Sequence, residues 1–458
     1  MPETVTLQGQ PPLTPRWEPW MRALLADPER VAAIVAEHGS PVNVLNPEPL
    51  TRNAAELTSL GPVRDLEIQL FFARKANKAL CFVDAAARAG LGVDVASEAE
   101  LAQVLDAGVR PERIIVSAAI KNRALLSLAL THGVTVSLDH LGELAELTAL
   151  AAATSAGGRG VRPPVALRLA LPPSSGVAPT RFGELADRWL GADLDGVDVT
   201  GVHFHLNGYS AAERVTGIVA ACDLVDALRD RGHRPWFVDA GGGVPMSYLD
   251  DAQEWETFWE AQRAAVAGEA EPLTWNGHPL TTVYPYHQQP TRRAWLTAVL
   301  DAPARRGEGS VAQALAGRRL SLHLEPGRAL LDGCGLTLAR VAFTKQRSDG
   351  VGLIGVEMNR TQCRTTSDDF LVDPELVTWS GADAPFTGFL VGAYCIENEL
   401  ILQRRLTAPG IAPGDIVALP NTAGYFMHIL ESGSHQWPLA RNVVWQDAGP
   451  LRQDRING

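Results

Sequence analysis

FFARKANKA (71–79) reads as a buried strand that ends by presenting the ammonium of Lys75. A lysine in that position is costly unless it is paired or does chemistry. Once deprotonated, its amine can attack a carbonyl compound to form a Schiff base. Burial and a nearby cation, Arg74 or Arg168, would favour the deprotonated form. The plain alternative is a rim lysine in a salt bridge with Asp94. Three further stretches bear on the choice. DAGGGVP (239–245) strings together Gly241, Gly242 and Gly243, whose backbone N–H groups can converge on an anion because no Cβ blocks the approach. HLEPGR (323–328) carries Glu325 just before Gly327 and Arg328, and GVHFHLNG (201–208) carries His205. Singly these read as a tight turn, an acid paired with Arg328 and a structural histidine. Glu325 opposite a pyridine nitrogen would keep that nitrogen protonated, and the flat imidazole of His205 can stack on a ring. Lysine, triple glycine, carboxylate and histidine together suit a phosphate-bearing aldehyde cofactor.

Rival motifs are missing from the sequence. GLG at 90–92 has Val95 where a dinucleotide fingerprint needs glycine, and no phosphate-loop pattern ending in Gly-Lys-Ser/Thr occurs. Cys81, Cys222, Cys334, Cys363 and Cys395 are odd in number, widely scattered and without a C-x-x-C pair. That spacing indicates neither a disulfide framework nor a metal site, and it fits a reducing, cytoplasmic setting.

The chemistry-bearing residues need a scaffold that brings them to one place. Residues 67–325 alternate short β-branched or aliphatic runs with Ala/Leu-rich segments of helical spacing, as in EAELAQVLDAG. Eight runs read as strands: 67–73, 92–97, 113–118, 134–139, 165–170, 201–206, 236–241 and 320–326. Eight such units predict an α/β fold, a (β/α)8 TIM-like barrel whose C-terminal strand ends share one mouth. Lys75, Asp94, Ser97, Arg168, His205, Gly241 to Gly243 and Glu325 all fall at or near those ends. After about residue 330 the texture changes to runs such as LTLARVAF and GLIGVEM with Gly, Pro and Asp turns, predicting a second, mostly antiparallel β domain. The expected division is a barrel over 48–330 with an insertion at about 250–315, and a β domain from 1–47 plus 331–458.

The chain has 458 residues, enough for two domains, with 46% hydrophobic and 20% charged residues. A formal net charge of −12 disfavours nucleic acid and anionic lipid as partners and leaves a small molecule. No run of about 18 apolar residues occurs, so no membrane span is expected.

In order along the chain, FFARKANKA, DVASEAEL, GVHFHLNG, VDAGGG, HLEPGR, GAYCIENE and NTAGYFMH resemble the pyridoxal-phosphate decarboxylases of the alanine racemase-like fold type, also called fold type III. That family includes ornithine, arginine and diaminopimelate decarboxylases. The resemblance spans about 65–445 and implies pyridoxal 5′-phosphate bound to Lys75, with His205 stacked on its ring and Glu325 paired with its nitrogen. It further implies that Gly241 to Gly243, Gly327 and Arg328 hold the phosphate with Tyr425 reaching it, and that Asp94 and Arg168 complete the cofactor-binding set. Cys395 would protonate the reacting carbon from the neighbouring subunit of a homodimer. The implied activity is decarboxylation of an amino acid or an amino-acid-derived intermediate. Two alternatives stay open. One is an amino-acid racemase or epimerase on the same fold, which resembles its kin in setting an arginine rather than a carboxylate against the ring nitrogen. The other is a non-catalytic pyridoxal-phosphate-binding protein. Asn207-Gly208 stands where the family has Gly-Ser, and Ile396 follows Cys395 where an acid is usual, with Glu397 and Glu399 beyond. Arg360 and Arg364 in EMNRTQCRTTSDD (357–369) fall where the family's substrate loop is expected. With Glu397 they are the candidates for reading the substrate's distal group, and as arginines they would clamp a carboxylate.

Overall fold

The computed structural model describes residues 2–154, 162–280, 283–305, 307–365, 370–379 and 384–457. Eight parallel strands close into a barrel: Ile68–Ala73, Gly92–Val95, Ile114–Val116, Thr135–Leu138, Pro164–Arg168, Asp198–His203, Phe237–Asp239 and Ser321–Leu324. Each expected run supplies one of them; the first ends at Ala73 as expected, and the others end somewhat earlier than expected. His205 therefore sits two residues beyond the sixth strand, and Glu325 immediately follows the eighth. The strands are nearly continuous apolar runs because the barrel interior and the outer helices bury both faces. Ser97, just past the second strand, accepts from Glu100 N and starts the helix Glu98–Asp106 within a few residues of the strand end. The helix Leu141–Thr154 buries Leu144, Leu147, Leu150 and Ala151, one stripe at three- and four-residue spacing.

Between the seventh and eighth strands lie the helices Ala252–Ala267, Arg292–Asp301 and Val311–Gly317. Arg292–Asp301 packs on Glu48–Thr58 and Ala211–Asp230, and Val311–Gly317 packs on Ala211–Asp230 and the eighth strand, so both belong to the barrel's outer ring. Ala252–Ala267 and the stretch carrying Tyr284 and Tyr286 pack instead toward the β domain. Phe426 lies 5.9 Å from the Tyr248 ring and 6.5 Å from the Tyr286 ring.

A second sheet, mostly antiparallel, draws on both ends of the chain. The long strand Gly335–Gln346 pairs with Ile416–Pro420, with Gly352–Val356 and with the N-terminal Val42–Leu45. Glu3–Thr6 pairs with Glu375–Thr378, and Val42–Leu45 runs parallel to Arg441–Val444. The helices Pro19–Leu25 and Pro28–His38 cover this sheet with Trp20, Met21, Leu24, Val31 and Val35 against Val44, Leu336, Leu338 and Ile416. The two sheets meet at the barrel mouth, where Asn77 Nδ2 donates to Ala423 O (2.9 Å) and Tyr425 N donates to Ala76 O (2.8 Å). The lysine turn is thus hydrogen-bonded on both sides to a loop of the β domain.

Candidate active site

The first barrel strand ends at Ala73 and passes into a single 3-10 turn, Arg74–Ala76, that carries Lys75. Arg74 points away, donating to Asn77 O (2.6 Å) and Gln103 Oε1 (2.9 Å). Lys75 Nζ faces the second strand and donates to Asp94 Oδ2 at 3.3 Å, while Ser117 on the third strand donates a short bond to the other Asp94 oxygen. The sequence reading expected burial and a neighbouring cation to lower the pKa of this lysine. Burial does pull it down, but the charge of Asp94 leads the influences that outweigh burial and hold the ammonium above its ordinary value. Arg168 is not the cation at the amine. It lies behind the wall, donating to Asp139 Oδ1 and Ser117 O, both at 2.9 Å.

Glu325 is buried, and neither of its carboxyl oxygens has a hydrogen-bond partner. Burial, reinforced by the charges of Asp94 and Asp239, pushes it well above the usual carboxylate range, so without a partner it keeps its proton. The expected alternative, an acid satisfied by Arg328, is not what the chain builds. Asp239, at the end of the seventh strand, is likewise pushed up by burial, to about 7, although Gly241 N donates to it at 2.8 Å. His205 lines the same cavity and meets Phe182 edge to face at 5.7 Å. Burial, then Lys75 and Arg168, hold it neutral.

At the other end the glycines form a cradle that other residues would fill. Gly243 has φ +76°, and a Cβ there would collide with Arg214 Nη2 and lie 2.7 Å from Gly208 O. Arg214 is spent on backbone, donating to Leu206 O and Gly208 O at 3.1 Å and to Gly242 O at 3.0 Å, and so ties the glycine turn to the loop after the sixth strand. A Cβ on Gly327 would lie 2.6 Å from the Tyr425 hydroxyl. Tyr425 itself adopts φ +74°, a strained conformation for a tyrosine, of the kind concentrated at ligand sites. Beside it Arg328 donates to Tyr248 Oη (2.8 Å) and Gly424 O (3.2 Å), with its guanidinium 4.0 Å from the Tyr284 ring centroid and 5.1 Å from that of Tyr425. Among the described residues no carboxylate pairs with it. Such a cation, held over aromatic rings, is an anion site.

Lys75, His205, Gly242, Gly243, Glu325, Gly327, Arg328 and Tyr425 thus line one cavity of roughly 390 Å3, whereas Gly241 of the same turn does not line it. Cys395 is exposed on the loop Gly392–Glu399 and does not line it. Arg360 and Arg364 do not line it either: Arg360 donates to Asn398 O (2.9 Å) and its backbone N to Glu399 (2.7 Å), which docks its 3-10 turn on the Cys395 loop. Glu397 is exposed on that loop. Residues 366–369 of the expected substrate loop lie outside the described residues, but Thr365 is in the cavity wall. Sequence reasoning did not single out Thr365, although it lies within EMNRTQCRTTSDD, nor Tyr284, which carried no motif, nor His203, which GVHFHLNG displays two positions before His205. Although the linear spacing shows no metal site, His203, His205 and Glu325 each bring a donor atom within 4.8 Å of the others.

The pyridoxal binding domain of pyridoxal-dependent decarboxylases matches residues 52–274. An uncharacterised protein of Sinorhizobium fredii is 32% identical over 421 residues, covering 90% of this chain and 89% of that protein. A diaminopimelate decarboxylase of Zymomonas mobilis is 24% identical over 429 residues, covering 90% and 89%. The diaminopimelate decarboxylase of M. jannaschii, solved in complex with L-lysine, shares the fold at a TM-score of 0.69 and 16% identity, covering 92% of this chain and 90% of that one. The chain belongs to the fold type III pyridoxal-phosphate-dependent decarboxylase family. Its cofactor is pyridoxal 5′-phosphate, and the unpartnered carboxyl of Glu325, the glycine cradle and the uncompensated Arg328 fit the ring nitrogen and phosphate of that group.

Proposed function

We propose that this chain is an amino-acid decarboxylase, acting on an amino acid or an amino-acid-derived intermediate, that holds its cofactor as a Schiff base on Lys75. The observation that carries this reading is Glu325, a buried carboxyl with both oxygens free, set in the same cavity as the lysine. When bound, pyridoxal phosphate supplies the electron sink that accepts the pair left as carbon dioxide departs. The chain's own groups do the rest. Glu325 carries a proton in the cofactor-free site and can hand it from its carboxyl to a ring nitrogen, remaining behind as the counter-charge. His205, held neutral, offers a flat face without adding a second positive charge beside Lys75. Arg328 and the N–H groups of the glycine turn and Gly327 are the phosphate's partners, with the Tyr425 hydroxyl beside them. Asp94 orients the Lys75 amine, and Arg168 supports Asp94 through the Ser117 backbone.

Cys395 is assigned as the group that returns a proton to the substrate carbon. Its exposure in the single chain suits a homodimer in which this loop completes the partner's cavity. Docking of the Arg360 turn on the same loop would bring Arg360, Arg364 and Glu397 to that shared edge, where the arginines favour a substrate with a distal carboxylate over a diamine. Glu325 at the ring nitrogen favours decarboxylation over racemisation. Five free cysteines suit the cytoplasm, and no helix among the described residues is long and apolar enough to cross a membrane.

Borohydride reduction of the holoprotein and peptide mass mapping should place a pyridoxyl group on Lys75; a label on another lysine would sink the assignment. A screen of amino acids read by carbon dioxide release identifies the substrate. Release only from diamines would remove the carboxylate reading, and loss of optical activity without gas would replace the decarboxylase with a racemase.

A further inference from the structure

His203 ends the sixth strand, is fully buried, and takes no part in the mechanism described so far. Its Nδ1 lies 2.6 Å from Ser137 Oγ and 3.4 Å from Arg168 Nε. A guanidinium nitrogen has no lone pair to offer and can only donate, whereas the serine hydroxyl can turn either way. A proton on Nδ1 would be forced against the Arg168 N–H, so Nδ1 accepts and the proton of the neutral ring sits on Nε2. Burial, together with the nearby Arg168 and His205, keeps the ring from taking a second proton. Nε2 has no hydrogen-bond partner and lies 3.8 Å from Glu325 Oε2. That is longer than a hydrogen bond. Among the described residues it is the one side-chain nitrogen of a Lys, Arg or His within 4.0 Å of the Glu325 carboxyl.

We infer that His203 is a positioning residue for Glu325: Arg168 and Ser137 fix its Nε2–H tautomer, and that N–H steadies the Glu325 carboxylate once it has given its proton to the cofactor's ring nitrogen. The need arises from burial. A carboxylate ionised in this site has Asp94 and Asp239 as like-charged neighbours, and an N–H donor 3.8 Å from one of its oxygens offsets part of that repulsion. The route runs from Arg168 on the fifth strand to His203 on the sixth and past the seventh to Glu325 at the end of the eighth, so the ring nitrogen is governed by a residue that never touches the cofactor. This inference rests on the reading of Glu325 as the ring-nitrogen partner.

Two measurements test it. In cofactor-free protein labelled with 15N-histidine, the His203 signals, assigned by their loss in His203→Gln, should report a neutral ring protonated at Nε2. Protonation at Nδ1, or an imidazolium, would overturn the inference without reference to any cofactor. In protein loaded with pyridoxal phosphate labelled with 15N in the ring, the nitrogen should be protonated in wild type and in His203→Gln, whose amide can still donate. In His203→Leu it should shift toward the unprotonated value, with cofactor affinity lowered about ten- to hundredfold. An unchanged nitrogen signal and affinity in His203→Leu would refute the role of His203 while leaving the decarboxylase reading intact; failure of the wild type to carry the cofactor on Lys75 would bring down both. If His203→Leu does not fold, the tautomer measurement on wild type decides alone.

Discussion

Asp94→Asn is the sharpest perturbation of the proposed site. It preserves the shape at the second strand and the acceptor for Ser117, and removes only the charge 3.3 Å from Lys75 Nζ. Two unit charges at that distance attract by about 5 kcal/mol at an effective dielectric of ~20. About a third of the Lys75 side chain remains open to the cavity, so screening discounts that figure. Opposite charges this close move a pKa by about one to three pH units. Burial is the largest influence on Lys75, and with Asp94 neutral it acts against only Glu325 and Tyr425, of which Glu325 is itself held protonated. The ammonium should therefore titrate lower, and each pH unit lower gives tenfold more free amine at neutral pH. The assay is imine formation after mixing cofactor-free protein with pyridoxal phosphate, followed by absorbance across pH. The variant should capture the cofactor at least about tenfold faster at pH 7, with the profile displaced to lower pH. The sign for stability is opposite. A lysine raised above its unfolded value stabilises the fold below about pH 10 and ceases to as the pH passes its folded value, so the variant should melt below wild type at pH 7 and the gap should close in alkali. A capture profile that stays in place, or moves to higher pH, would refute the claim that Asp94 holds Lys75 charged.

Glu325→Gln should leave cofactor attachment on Lys75 intact but lower carbon dioxide release by about a hundredfold, since an amide cannot keep the ring nitrogen protonated; an unchanged rate excludes that role. Gly243→Ala places a Cβ against Arg214 at φ +76° and should destabilise the cofactor-free protein by about 1–3 kcal/mol while weakening cofactor binding, both visible in melting curves with and without pyridoxal phosphate. Asp239 keeps its proton to about pH 7 in the fold, whereas the unfolded chain releases it near pH 4, so wild type loses stability as pH rises between those values. Asp239→Asn should accordingly melt above wild type at pH 8 and lose that advantage at pH 4, and parallel curves would show that the acid is not buried in this way. Mixing Lys75→Ala with Cys395→Ala should restore about a quarter of wild-type activity through heterodimers with one intact site; no recovery would place the thiol in its own chain's cavity.

The barrel was legible in the sequence because strands buried on both faces read as short apolar runs, and eight of them separated by helical spacing leave few arrangements that bury them all. The residues that carry chemistry were legible for a related reason: Lys75, His205, Gly241 to Gly243 and Glu325 stand at strand ends, and the topology sends all those ends to one mouth. What could not be read was the state of each group. Glu325 precedes Arg328 by three residues and looks paired with it on paper, yet the turn at Pro326 and Gly327 sends the arginine to a cage of tyrosines and leaves the acid alone. Tyr284 arrives from the segment between the seventh and eighth strands with no local pattern to mark it. The expectation that Lys75 would be depressed by nearby cations failed because Arg74 turns outward and Asp94 inward. The amino-acid sequence alone determined which groups reach the mouth, since strand periodicity and chain order suffice for that. Which of them are charged, paired or left unsatisfied was decided only by the tertiary structure, because burial and electrostatic attraction depend on distances of a few ångströms between residues far apart in the chain.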